Sequence, residues 1–271
     1  VGLIQGYLSI INLKQLSYQL YHIYCKLRNP DVETMSRISV ALELKRPIIA
    51  IQQLTGAFDL ECVIAVKTVA EVDEVITQVQ EILGDTLISY DVSTNSKQIK
   101  EGTYPFISQT TLLNKKAFPA DLDTKDKMLL NMIANDAKKT LLQIAQETNL
   151  GLDSVRYHLK KLEGANIIIA HTPKINYRVL GYTAYEVLFS IAPFTKELEE
   201  EIRGYISFQE NILWSIRSVG TYNLSILLIT QHQEMLYAIV DKIRVIIGAS
   251  FLDAEVLLLK ETRKFTYLPK L

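Results

Sequence analysis

An internal repeat limits the folds open to this chain more than any other feature. Asn12, Leu16, Tyr18 and Tyr21 recur as Asn176, Leu180, Tyr182 and Tyr185, a step of 164 residues. Gly56-Ala57-Phe58-Asp59-Leu60 recurs as Gly220-Thr221-Tyr222-Asn223-Leu224 at the same 164-residue step, and so does Gly84 as Gly248. Near the ends Thr103-Tyr104 matches Thr266-Tyr267 at 163. A register kept without a gap from Asn12 to Gly84 marks a duplication. The chain must therefore fold as two like units around whatever separates them.

Within the first unit, Tyr18 to Leu27 alternates as a strand, with Tyr18, Leu20, His22, Tyr24 and Lys26 on one side. Asn29-Pro30 predicts a helix start, and Pro47 a stop. Ile48–Leu54 and Phe58–Val66 read as strands around a turn at Thr55-Gly56-Ala57. Thr68 with Glu71 is a capping box opening a helix that Gly84 ends, and Leu87–Val92 is a fourth strand. Strand-helix-strand-strand-helix-strand is the split βαβ, ferredoxin-like order.

The second unit repeats that order. Its expected strands are Tyr185–Ile191, Ile212–Val219, Leu224–Ile229 and Phe251–Lys260, with helices at Thr195–Ser207 and Gln233–Ile247. The fold class is α+β. Helices cover one face of each sheet, and the other face is left apolar. It has to pair with a second copy, as a homo-oligomer, or with the sister unit, as an intrachain pseudo-dimer.

Between the units, Thr140 and Gln143 form a capping box, and Asn149-Leu150-Gly151 is a tight turn between two short helices. The second of these puts Val155, Leu159 and Leu162 on one face, with Arg156, Lys160 and Lys161 off it and Tyr157 and His158 beside them. A preceding helix begins at Asp123 with Asp126 as its capping partner. Ile167-Ile168-Ile169 and Lys174-Ile175 flank His171-Thr172-Pro173 as a short hairpin. Three helices and a wing form a layout that binds double-stranded DNA. A helix pair with a basic residue each turn is equally an ordinary solvated surface, so the pattern alone leaves both readings open.

The expected domains are 1–108, 109–173 and 174–271: a sheet domain, a winged helix-turn-helix, and a second sheet domain. Ser93 to Ala120 reads as a polar joint, with a last strand or tail near Tyr104-Pro105-Phe106. By the repeat, Val1 to Leu8 aligns with the wing, so a first helix-turn-helix is expected upstream. The formal net charge of −1 excludes a general polyanion binder but not a local basic helix. No apolar run reaches membrane-spanning length, which points to a cytoplasmic protein without a membrane partner. Cys25 and Cys62 sit in apolar runs and read as reduced core residues.

These residues resemble the Lrp/AsnC family of transcription regulators. Leu122-Asp123, Asp126, Leu129-Leu130, Asp136, Thr140, Ala145, Leu150, Val155, Leu159, Leu162-Glu163 and Ile167-Ile168 fit that family's helix-turn-helix. The ferredoxin-like unit after it resembles the family's effector domain, with its Gly-x-x-Asp turn. The resemblance implies sheet-paired dimers and a small-molecule effector, commonly an amino acid, near that turn. Its residues here are Thr55, Gly56, Phe58 and Asp59 in one copy and Gly220, Thr221, Tyr222 and Asn223 in the other. The acid often found after the glycine is Ala57 or Thr221, and the later acid is Asn223 in the second copy.

For DNA, Arg156, Tyr157 and His158 are expected nearest the bases. Lys138, Lys139, Lys160 and Lys161 are expected on the backbone, with Thr140 and Ser154 beside them and His171 or Lys174 adding a wing contact. Siroheme decarboxylases look like the same family, but the positions where their His and Arg are expected hold Trp214 and Ser218. His22, His158, His171 and His232 lack metal-ligand spacing, and no phosphate loop or nucleophile motif occurs. The sequence thus points to a regulator, not an enzyme, with neither cofactor nor metal; the alternatives are a siroheme decarboxylase-like enzyme of the same fold and an oligomerising sensor with weak DNA contact.

Overall fold

The computed structural model describes residues 2–100 and 121–271. The expected tail at Tyr104-Pro105-Phe106 and the match at Thr103-Tyr104 lie outside them. In chain order the elements are β1 (Ile4–Ile11), β2 (Gln19–Leu27), α1 (Val32–Glu43), β3 (Ile48–Thr55), β4 (Leu60–Val66), α2 (Val69–Leu83) and β5 (Leu87–Lys100). Then follow α3 (Thr124–Asn135), α4 (Leu141–Thr148), α5 (Leu152–Gly164) and β6 (Ile168–Ile175). The second unit is β7 (Thr183–Ile191), α6 (Lys196–Ser207), β8 (Ile212–Val219), β9 (Leu224–Thr230), α7 (Gln233–Ile247) and β10 (Phe251–Phe265).

Local chemistry sets most of these boundaries. α2 begins where the Thr68 hydroxyl accepts from the Glu71 amide, and it ends at Gly84, which takes φ +49°. The expected start of α1 at Asn29-Pro30 is corrected. Asp31 is the cap, accepting from Thr34 N at 2.7 Å, while Asn29 makes a left-handed bend at φ 44°.

The strands of the first unit run in the order β3-β4-β2-β5 and those of the second in the order β8-β9-β7-β10. β5 pairs with β8 and β10 with β3, so all eight close into one barrel. This corrects two expectations. The joint does not begin at Ser93, because β5 runs on to Lys100 and its second half is the seam with β8. β10 likewise passes Lys260 to reach Phe265 against β3. Both stretches look irregular in sequence because each has a bulge and a partner in the other unit. The two seams keep the repeat: Thr94 faces Val219 as Leu258 faces Thr55, and Lys100 faces Ser215 as Lys264 faces Ile51.

Alternation along each strand separates two environments. Ile23, Cys25, Leu60, Cys62 and Ile64 pack on Ile38, Val75 and Val79 of the helices. Val187, Phe189, Leu224 and Ile226 pack on Ile202, Ile239 and Ile243. Both cysteines are free and buried, and burial pushes the Cys25 thiol up to about 12. The opposite faces of the two sheets meet inside the barrel. Of the two pairings expected for that face, with a second copy or with the sister unit, the sister unit covers it here. One end of this interior is apolar, with Tyr24, Leu54, Phe58, Leu188 and Leu257. Its middle is not: His22, Glu61, Glu186 and Ser225 are buried there.

The seams are also bolted by charge. Lys100 Nζ donates to the carbonyls of Ile206 and Gln209 at the end of α6, and Lys264 Nζ to those of Glu43 and Lys45 at the end of α1. A cation at a helix C-terminus satisfies open carbonyls and opposes the helix dipole. Beside the β5–β8 seam, buried Glu199 of α6 binds Lys97, Arg203 and Arg217.

The winged domain differs from expectation at its wing. Residues 168–175 form one strand, β6, not a hairpin, and its partner is β1 from the chain's start. Residues 4–8, part of the stretch read as a leftover of an upstream wing, thus supply part of this wing. β1 and β6 are repeat-equivalent strands, and Leu8 pairs with Thr172, its own counterpart 164 residues on. A hairpin and a two-stranded ribbon share the same apolar alternation, so the sequence could not separate them.

Burial acts to raise the Glu199 carboxyl, but its bonds to Lys97, Arg217 and Arg203 override this and hold it at about 2. A depressed carboxyl adds stability above its ordinary value of 4.5 that is lost as pH falls toward 2. Glu199→Gln is expected to cost about 1–3 kcal/mol at pH 7, because three partly exposed cations lose their shared buried acceptor. Urea unfolding at pH 7, 4 and 3 checks this: the deficit should shrink steadily with acid.

Candidate nucleic-acid interface and effector turns

α3 opens on a reciprocal capping box, Asp123 with Asp126, and α4 on another, Thr140 with Gln143. The turn between α4 and α5 relies on Asn149, left-handed at φ 57°, whereas Gly151 takes an ordinary φ of −64°. Leu129, Leu130, Ile133, Ile144, Val155 and Leu162 form the domain's core together with Ile11, Leu16 and Leu268 from the two chain ends.

On α5, Arg156, Tyr157 and Lys160 are exposed and Ser154 partly so. Tyr157 is 66% exposed, and Arg156 donates to Asp153 one turn earlier at 2.9 Å. One expected contact, His158, is corrected, and Lys161 is engaged within the fold. His158 is buried, with Nδ1 2.8 Å from Asp126 Oδ1. Lys161 Nζ donates to Asp126 Oδ2 at 2.5 Å and to Asp123 Oδ2 at 3.4 Å. The bond to Asp126 is the main reason the Lys161 ammonium titrates above its ordinary value. His158 stands three residues after Val155 and four before Leu162, on the inward stripe, where the buried Asp126 carboxylate needs partners.

The remaining cations are partly engaged. Lys139 binds Glu147, and Lys138 sits over the Tyr7 ring at 4.3 Å. Thr140 is used as a cap, and His171 Nδ1 lies 3.0 Å from Ser9 Oγ across the wing. Lys174 is half-buried beside it. The structure thus leaves Arg156, Tyr157 and Lys160 exposed and Ser154 partly so, keeps Lys161 exposed but paired with Asp123 and Asp126, and withdraws His158 into the core.

The two effector turns lie against opposite halves. Gly56 has φ +145°, and a Cβ there would meet Leu257 Cδ2 and Val256 O at 2.9 Å. Gly220, at φ +157°, would meet Ser93 Cβ at 2.8 Å and Val92 O at 3.0 Å. The glycines are thus needed for close approach of the sister unit's last strand. Asp59 is committed to the fold, accepting from Leu27 N at 2.8 Å and pairing with Lys26 at 3.2 Å. Asn223 does the same job in the second copy, bonding Ile191 N at 3.0 Å and Ile191 O at 2.8 Å. Phe58 is buried, with Tyr222 edge-on at 6.2 Å, while Thr55 and Thr221 are exposed. Burial, then Glu255, Asp253 and Asp91, raise the Tyr222 phenol.

Two clusters escaped sequence reading altogether, because their members come from different elements. His22, Glu61 and Glu186 bring donor atoms within 4.8 Å of one another, as do Asp123, Asp126 and His158. His22 Nδ1 is 2.6 Å from Glu61 Oε1, and Tyr24 OH donates to Glu186 Oε1 at 2.8 Å. Burial, then the Glu61 charge, raises the Glu186 carboxyl well above the usual range.

The chain thus carries a winged helix-turn-helix mounted on two paired ferredoxin-like sheets. Residues 122–169 match the winged helix-turn-helix DNA-binding family. The chain is 30% identical over 104 residues to the HTH-type transcriptional regulator LrpA of Pyrococcus horikoshii, covering 35% of this chain and 74% of that one. For LrpA of Pyrococcus abyssi the identity is 31% over 104 residues, with the same coverage of 35% and 74%. The chain belongs to the Lrp/AsnC family of transcriptional regulators. Its fold as a whole is similar to that of the siroheme decarboxylase NirDL in co-complex with an iron-uroporphyrin III analogue. There the TM-score is 0.66 at 14% identity, over 99% of this chain and 79% of that one. Among the described residues no helix is long and apolar enough to cross a membrane.

Gly56→Ala and Gly220→Ala are each expected to destabilise by about 1–3 kcal/mol through backbone strain and the collision with the facing strand. Thermal unfolding should show both melting below the parent. Gly84→Ala, with open space around its Cβ but φ +49°, should suffer from strain alone and lose less.

Proposed function

We propose that this chain is a sequence-specific DNA-binding transcriptional regulator that docks α5 in the major groove. The supporting observation is the outer face of α5, where Ser154, Arg156, Tyr157 and Lys160 stand clear of the domain core. Arg156 suits a guanine edge, and Lys160, with Lys138 and Lys139, suits phosphates. His158 and Lys161 act through the fold, holding α5 to the start of α3. Trp214 and Ser218, at the positions where a decarboxylase of this kind is expected to hold His and Arg, supply neither an acid–base group that works near neutral pH nor a cation for a substrate's carboxylates, which favours the regulator over an enzyme.

The test is selection of a binding duplex from random DNA by the full chain, followed by titration of variants. Arg156→Ala is expected to lose about 1–3 kcal/mol on the selected duplex and little on an unrelated one. Lys160→Ala should weaken both duplexes alike and lower the salt slope by about 1. No retardation of any duplex at low ionic strength would end this reading.

We also infer that regulation uses an amino-acid effector at the Gly220 turn. The turn's own acid is replaced by Asn223, but Asp91, Asp253 and Glu255 lie near Tyr222 and suit an ammonium group. A thermal-shift series over the common amino acids should raise the melting temperature with at least one, and Glu255→Gln should remove that rise. A flat series refutes the effector and leaves the DNA reading standing.

A further inference from the structure

We propose that His22, Glu61 and Glu186 bind one divalent transition-metal ion at the centre of the barrel. The three side chains come from β2, β4 and β7, so both halves of the molecule contribute. All are buried, and their donor atoms converge within 4.8 Å. A second oxygen, Glu61 Oε2, is buried with no hydrogen-bond partner. Burying two carboxyl groups side by side away from water is costly for their charged forms, and a divalent ion held between them offsets that cost.

One nitrogen and two carboxylate ligands suit Zn2+, Mn2+ or Fe2+ better than Mg2+ or Ca2+, which favour all-oxygen shells. Tyr24, donating to Glu186 at 2.8 Å, and Ser225, at 3.5 Å from the same carboxylate, orient that ligand from behind. The ligand set is a product of the duplication. Glu186 is the repeat counterpart of His22, and Ser225 that of Glu61, each 164 residues on. Two identical halves would present two copies of each residue, and divergence left a single mixed set. The second cluster, Asp123, Asp126 and His158, makes no comparable site, because Lys161 already supplies its cation.

The test uses the full chain, unfolded in chelator and refolded with ZnCl2, then desalted and assayed for metal by mass spectrometry. One zinc per chain is expected. Glu186→Gln and Glu61→Gln should lower retention at least about tenfold, and Asp123→Asn should leave it unchanged. Should the glutamine variants not refold, the Co2+-loaded parent decides the matter. It should show visible d–d bands of a nitrogen and oxygen site without thiolate charge-transfer absorption. No metal on the refolded parent, retention by Glu186→Gln, or a thiolate band implicating Cys25 and Cys62 would overturn the proposal.

Discussion

Everything in this molecule depends on the hydrogen bonding of four sheet edges. A ferredoxin-like sheet has two edge strands with unpaired amides and carbonyls, and such edges invite association. Here β3 and β5 of one unit meet β10 and β8 of the other, and no edge of the eight-stranded barrel is left open. Closure needs β5 and β10 to run well past their own unit, and both do, bulging at equivalent places. Lys100 and Lys264 then reach across each seam to the end of the sister unit's first helix. Backbone pairing and helix capping act on the same two joints.

Closure also decides what the interior can be. Residues that alternate away from the helices face their counterparts across a local twofold axis. In a dimer of identical chains that axis forces like against like. Within one chain the two copies are free to diverge, and they have done so where it matters electrostatically. His22 has become the counterpart of Glu186, and Glu61 of Ser225. The outer, helix-facing positions stayed apolar in both copies, because the packing need there is the same twice.

How much of this was readable beforehand follows from the range of each signal. Caps and helix stops, such as Thr68 with Glu71 and Gly84, are local and were legible residue by residue. The duplication was legible because glycine and aromatic landmarks kept their spacing. The β5–β8 seam was not, since Thr94 to Lys100 has a partner more than a hundred residues away and no apolar stripe of its own. The wing was misread for the same reason, its second strand being β1. On α5, polarity was taken for exposure at His158, though its helical position lies on the core stripe. The inward carboxylate that rewards a histidine there, Asp126, belongs to another helix.

The same geometry ties the candidate recognition helix to the barrel. Both ends of the described chain pack on the winged domain: Ser9 Oγ donates to Ile133 O at 2.8 Å, and Leu271 N to Asn131 Oδ1 at 3.0 Å. β1 leads through a short turn directly into β2, the strand that carries His22 and Tyr24, and the C-terminal residues follow directly on β10. Gln15 of that turn also donates to Ala165 O, just beyond α5. A shift of β2 against β10 would therefore pull on two sides of one small helical core, whose Leu16 and Leu268 come from those same linkers. A tight core does not stretch continuously. The winged domain therefore sits on the barrel as one packed body, held on one side by the linker between β1 and β2 and on the other by the residues that follow β10.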